Sequence, residues 1–247
     1  MSAQIIKQGL PGIAPAVKIS GHPLILGASP GTTGTMSLYY ALVMLNVSSV
    51  HYSRQYHAPN GTEWTSYEEG GGPVPLLKPL FAASGTPPPV DLAAIKTTDM
   101  RFLEGTEALL DTPAMEVFFE ALVTFPSAKI ILTSREPRQW AVTRRARHPT
   151  DRAPLFHNLG IDAPVGALSE DQAAMAFALW QRTVIGSVPA ERLLVLDLFS
   201  MADEVLWKRL CTFIGKPLPV DEKGKLPPFP HQHYAEDVNG EAPKTAV

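Results

Sequence analysis

With one cysteine, Cys211, in 247 residues, the chain can build neither an internal disulfide framework nor a multi-cysteine zinc cluster. Cys211 falls in an apolar helical pattern and is expected as a buried structural thiol. No apolar run approaches the roughly 20 residues of a membrane-spanning helix, and the opening MSAQIIK lacks the long apolar region of a secretion signal. An excess of one charge is also missing. The 21 basic and 24 acidic residues leave a net charge of −3 and a pI near 6.2, so no bulk basic field exists to hold a nucleic-acid polymer. Any anion site must therefore be local. What remains is an ordinary globular composition, 45% apolar and 18% charged, enough for one large core. The expectation is a cytoplasmic enzyme or binding domain, one domain over residues 1–247. Neither a membrane nor a nucleic acid is expected as a partner, and a homodimer stays open.

Short apolar runs alternate with amphipathic stretches. Strands are predicted at 23–27, 47–52, 108–111, 129–134 and 193–197, near-continuously apolar as in strands covered on both faces. Between them, Leu38, Leu42 and Leu45 recur at helical spacing, and Met115, Phe118, Phe119 and Leu122 do so after Pro113, a residue favoured in a first turn. S-E-D-Q at 169–172 is a capping box opening a helix through Phe177, Trp180 and Val184. Ser200 is expected to cap a helix that buries Val205, Leu206, Leu210 and Phe213 and stops at Gly215 before Pro217. This alternation predicts an α/β fold of three layers, with a parallel central sheet and helices on both faces.

Two regions break the pattern. Residues 57–90 hold seven prolines and five glycines and are expected as an insertion, either a functional lid or a flexible loop. The proline-rich tail from Lys216 is expected to wrap the surface, becoming flexible from about 232, with its last ten residues disordered.

The most informative segment is LILGASPGTTGTMSL at 24–38, a strand running through a Gly/Thr/Ser-rich turn into a helix. Such a turn aims backbone N–H groups and a helix N-terminus at one spot, a natural anion cradle. Three chemistries compete for it. Gly27, Ser29 and Gly31 fit the G-x-S-x-G nucleophile elbow, but Pro30 has no N–H for the oxyanion hole, and the strands that usually precede an elbow are missing. Gly27, Gly31 and Gly34 resemble the dinucleotide turn of an NAD(P)-binding Rossmann reductase. That site wants an acidic residue ending the second strand; here His51 and Tyr52 end it, and the chain has no Tyr-x-x-x-Lys pair. The third reading is a phosphate or sulfate loop. The lysine of the ATP-hydrolysing P-loop is absent, but Thr32 to Ser37, T-T-G-T-M-S, looks like the 5′-phosphosulfate loop of sulfotransferases.

Other segments follow in a matching order: VHY at 50–52, LLDTPA at 109–114, FPSAKIILTSREPRQW at 125–140, VPAERLLV at 188–195, LCTFIGKPLP at 210–219 and PFPH at 228–231. From Leu24 to His231 the chain resembles the sulfotransferase family, in the branch whose loop reads R-T-G-T. The resemblance implies a P-loop-like α/β fold and the donor 3′-phosphoadenosine 5′-phosphosulfate (PAPS), leaving 3′-phosphoadenosine 5′-phosphate (PAP) as product. In-line transfer would go to a hydroxyl or amine of a small-molecule acceptor. By the same resemblance, Gly31, Thr32, Thr33, Gly34, Thr35, Met36 and Ser37 would hold the 5′-phosphosulfate, with Arg135 and Thr143 on the 3′-phosphate. Trp140 would cover the adenine or pack in the core. At the position of the family's catalytic histidine stands Asp111, either the base or the cap of the helix opening at Pro113; His51 is a second strand-end candidate.

One departure stands out. The family's loop carries Lys or Arg where this chain has Thr32. Losing a cation there removes stabilisation of charge on the bridging oxygen unless another reaches in, and Arg54, Lys78, Arg144 and Lys225 are the candidates. The alternative is a non-catalytic or regulatory nucleotide binder of the same fold. The run RRARH at 144–148 reads as a solvated basic face, with help in binding an anionic cofactor or acceptor as the alternative, and His231 with His233 as at most half a metal site.

Overall fold

The computed structural model describes residues 24–58, 60–65, 72–84, 88–103, 105–149 and 155–231. Its strands are β1 (Ile25–Gly27), β2 (Ser49–His51), β3 (Arg54–His57), β4 (Thr62–Thr65), β5 (Ala108–Leu110), β6 (Lys129–Ser134) and β7 (Leu193–Asp197). Its helices are α1 (Thr35–Met44), α2 (Leu92–Thr97), α3 (Phe118–Thr124), α4 (Pro137–Arg147), α5 (Glu170–Ser187) and α6 (Asp203–Ile214). The five apolar runs become the parallel strands β2, β5, β1, β6 and β7, side by side in that order.

Their side chains alternate between two cores, as the two-residue period of a strand requires. Leu26, Leu109, Ile130 and Leu132 face one core with Trp140, Phe177 and Trp180. Ile25, Leu110 and Ile131 face the other with Leu38, Leu42, Trp207 and Leu210. Helices on both faces leave a strand no polar side, which is why these strands read as continuous apolar runs. The chain order of the strands also decides between the loop readings. A Rossmann sheet places the second strand against the first; here β5 stands between β1 and β2. That order does not build the dinucleotide crevice.

Several boundaries differ from expectation. The sheet gains an antiparallel edge, β3 and β4; β4 lies in the segment expected as an insertion, and β3 lies at its start, in residues given no element by the sequence pattern. Residues 57–90 are therefore not one open loop. They contain β4, a 3₁₀ turn over Pro75–Leu80 that buries Leu77 and Leu80, and a bridge from Phe81 to Val90. The helix expected from Pro113 begins only at Phe118. Residue Ala202, not Ser200, precedes α6, and Val205 stays exposed while Trp207 and Cys211 join Leu206 and Leu210 inside. The capping box at Ser169 and Gln172 forms as read.

The C-terminal segment lies against α6. Asp203 accepts from Phe229 N–H at 3.0 Å and pairs with His231 Nε2 at 2.8 Å, and the Trp207 indole donates to Pro227 O at 2.9 Å. The wrapping is thus described as far as His231; the flexible stretch expected from 232 lies outside the described residues. Burial raises the Cys211 thiol pKa, consistent with a structural thiol. Among the described residues no helix is long and apolar enough to cross a membrane.

Two fully buried indoles tie the layers to the loop after β1. Trp180 of α5 donates to Ala28 O at 2.7 Å, and Trp140 of α4 donates to Gly31 O at 3.0 Å. Trp180→Phe keeps an aromatic ring but leaves the Ala28 carbonyl buried and unanswered. It is expected to cost about 2–3 kcal/mol, read as a lower urea midpoint at unchanged m-value.

Candidate functional site

The adjacent strands β2, β5, β1 and β6 end on one edge of the sheet, and their last residues or first loop positions are His51, Asp111, the loop 28–34 and Arg135. Backbone strain gathers there as well. Non-glycine residues with left-handed φ are Thr32 at 69°, Asn46 at 53°, Tyr52 at 29° and Asp111 at 61°, and all but Asn46 follow a strand on this edge. Each such conformation costs about 1–2 kcal/mol, and persists where surrounding structure over-determines it.

Side chains answer the carbonyls of the β1–α1 loop. Besides the two indoles, Thr33 Oγ1 donates to Pro30 O at 2.8 Å and shares a 2.8 Å contact with Thr133 Oγ1, while Arg135 Nη1 donates to Thr32 O at 3.1 Å. Gly34 has φ 90°, a conformation that favours glycine, and a Cβ there would also have to displace Leu198 Cδ1, 2.5 Å away. Among the described residues no acceptor answers the N–H groups of Gly34, Thr35 or Met36. Thr35 and Ser37 are buried at the first turn of α1. Ser29 is 1% exposed, which removes it as a nucleophile and closes the elbow reading.

Arg135 and Thr143 meet in one place. Together with Glu136, Arg138, Gln139 and Val142 they line a shallow depression of about 360 Å³. The Arg135 guanidinium lies 4.4 Å over the Phe199 ring. Burial, and then the charge of Arg147, lower its pKa, so an anion placed against it would relieve an existing strain. Thr143 Oγ1 donates to Gln139 O at 2.8 Å. Trp140, read as adenine cover or core, is core: it is fully buried and stacks on Phe177 at 4.5 Å.

Across the loop, His51 Nε2 lies 3.2 Å from Thr35 Oγ1 and 3.5 Å from Asp111 Oδ2. Burial pulls the His51 pKa below its ordinary value, and the Asp111 carboxylate opposes this only in part. Asp111 caps no helix through its side chain, because α3 starts seven residues later. Its Oδ1 is buried without a hydrogen-bond partner among the described residues.

The four cations named for the missing loop charge separate clearly. Arg54 pairs with Glu63 at 3.1 Å and lies over Tyr40. Lys78 and Lys225 are exposed on other segments. Arg144, expected on a solvated face, is instead 5% exposed, with its guanidinium against Gly31. No signal in the run RRARH distinguishes Arg144; its spacing of four from Trp140, one helical turn, is the only hint that it faces inward. His231 pairs with Asp203, and His233 lies outside the described residues. Among the described residues no cluster of three or more His, Cys, Asp or Glu could hold a metal ion.

A protein-family model described as Sulfotransferase domain matches residues 24–148 and 153–238, most of the chain. A search of curated proteins finds no match.

The state of His51 is open to a stability measurement. Its folded pKa lies below the ordinary 6.5, so below that pH the unfolded chain binds the extra proton first. Stability is therefore full above pH 6.5 and lost as pH falls, until the folded imidazole itself protonates. His51→Gln is expected to flatten the stability profile as pH falls below about 6.5, followed by denaturation at each pH; an unchanged slope would place the acid sensitivity elsewhere.

Proposed function

Since the chain belongs to the sulfotransferase domain family, we propose that it transfers a sulfuryl group from PAPS, the donor generally used in that family, to a hydroxyl or amine of a small-molecule acceptor. When bound, that donor supplies a sulfuryl group whose S–O bond to phosphate breaks, the electron pair leaving on the phosphate, as the bond to the acceptor forms. The observation that carries the reading is the single sheet edge joining the β1–α1 loop, Asp111 with His51, and the Arg135–Thr143 depression.

The residues present fit such a donor. Gly34, Thr35 and Met36 offer unanswered N–H groups at a helix N-terminus, where a negative charge is favoured. Gly31 to Ser37 would hold the 5′-phosphosulfate, with the Thr35 and Ser37 hydroxyls as further donors. Arg135 would take the 3′-phosphate through its guanidinium, a charge-assisted contact, with the Thr143 hydroxyl beside it. As in phosphoryl transfer, the protein's work is to position reactants and stabilise charge.

Asp111 supports a base role through its free Oδ1, which would take the acceptor's proton. His51, kept neutral by burial, would hold the Thr35 hydroxyl through Nε2, with the Asp111 carboxylate beside the same nitrogen. The near balance of 21 basic and 24 acidic residues favours a small acceptor over a charged polymer. Thr32 in the loop favours the second reading, a nucleotide binder without turnover.

Calorimetric titration with PAP separates them, with NADP and ATP as controls. Roughly micromolar, selective binding is expected (about −8 kcal/mol), and Arg135→Ala should weaken it at least tenfold. Asp111→Asn should leave that affinity intact and reduce turnover about a hundredfold or more, within the range of general-base contributions. PAP binding with no product from any acceptor would favour the binder. No binding would remove the donor assignment.

A further inference from the structure

We propose that Arg144 delivers, from α4, the positive charge that the loop itself does not carry. The inference rests on the donor reading above and deepens it. Segment 28–37, ASPGTTGTMS, contains no basic residue. Yet charge builds on the oxygen between sulfur and phosphorus during transfer, and a preorganised cation there is among the strongest contributions a site can make.

Arg144 stands at the right place by an exchange of space. A Cβ on Gly31 would collide with Arg144 Nη1, would lie 3.4 Å from Arg144 Cζ, and would come within 3.1 Å of Asp111 Oδ1. Gly31 has no left-handed φ, so its backbone could carry any residue. The Arg144 guanidinium occupies the volume where a side chain at 31 would be, so a larger residue there would have to displace it. The loop has no side chain at 31 and no cation at 32, and α4 sets one cationic group against it. That group and the carboxylate proposed to receive the acceptor's proton both border the space above Gly31, where donor and acceptor would meet.

Burial sharpens the argument. Arg144 is 5% exposed, and stripping water from a guanidinium is costly. In such a water-poor setting its field on a nearby anion is also far stronger than at the surface. Arg135 does not serve instead: it touches the loop at the Thr32 carbonyl, and its ring contact and depression lie toward Phe199 and the outer face of α4.

The test compares two nucleotides that differ only in the 5′ anion. In PAP, the 5′-phosphate carries the oxygen on which charge builds during transfer; adenosine 3′-phosphate lacks that group. Arg144→Gln is expected to weaken PAP about tenfold to a hundredfold, the size of a lost charge-assisted hydrogen bond, while leaving adenosine 3′-phosphate within about twofold. Adding Thr32→Lys to that variant should restore most of the difference by returning a cation to the loop. Should Arg144→Gln fail to fold, Gly31→Ala keeps the charge but displaces the guanidinium, and the same selective loss is expected. Equal weakening of both nucleotides, or no weakening of either, would make Arg144 structural and overturn the inference while the donor reading stands. A wild-type protein that binds neither nucleotide overturns both.

Discussion

The carbonyl oxygens of Ala28, Pro30, Gly31 and Thr32 all accept hydrogen bonds from side chains, and the rest of the site depends on that constraint. A loop buried between two helical layers has to satisfy every polar backbone group or lose stability. Here the acceptors are answered from within by Trp180, Thr33, Trp140 and Arg135. With the carbonyls answered from within, the N–H groups at the start of α1 have no acceptor among the described residues. The left-handed Thr32 and Gly34 are the backbone consequence. The strain they hold is offset by four hydrogen bonds whose donors come from α4, α5, the loop and the residue after β6.

How much of this the sequence discloses follows from which signals are local. β6 and β7 are legible to the residue: β6, flanked by strands on both sides, is buried from Ile130 to Thr133, and β7, the last strand of the sheet, still reads as an apolar run from Leu193 to Leu196. The β3–β4 hairpin is not: RQYH and TEWT have polar residues at most positions, as an edge that faces water on one side allows. Pro113 reads as a first helical turn, yet the chain runs through non-helical turn geometry to Phe118, because Asp111 with left-handed φ redirects it. His51, Asp111 and Arg135 are readable as strand ends, since a parallel sheet collects its functional groups on one edge. Their mutual distances are not, because strand order is a tertiary fact.

The two indole donors were beyond reach for a different reason. Nothing in a sequence says which carbonyl a buried Trp will answer. Trp140 is ambiguous between cofactor and core on pattern alone, and its partners decide it: a ring stack on Phe177 and a hydrogen bond to Gly31 O. A basic run suggests solvent, whereas helical periodicity puts Arg144 on the inner face, one turn beyond Trp140.

That periodicity makes α4 the organising element of the site. Gln139 and Thr143, one turn apart, line the outer depression with Arg135 at its mouth. Trp140 and Arg144, one turn apart on the opposite side, both press on Gly31, one at its carbonyl and one at the space above its Cα. A rotation of α4 by one residue would therefore disturb both sides at once, and the stack on α5 resists such a rotation. Gly31, Trp140 and Arg144 form one packing decision, so substitutions at them should not add independently. Under the proposed activity, one helix sets the separation between the two ends of the nucleotide and fixes a cation between them. A rigid spacer of that kind suits a reaction in which the protein contributes position and charge rather than covalent chemistry.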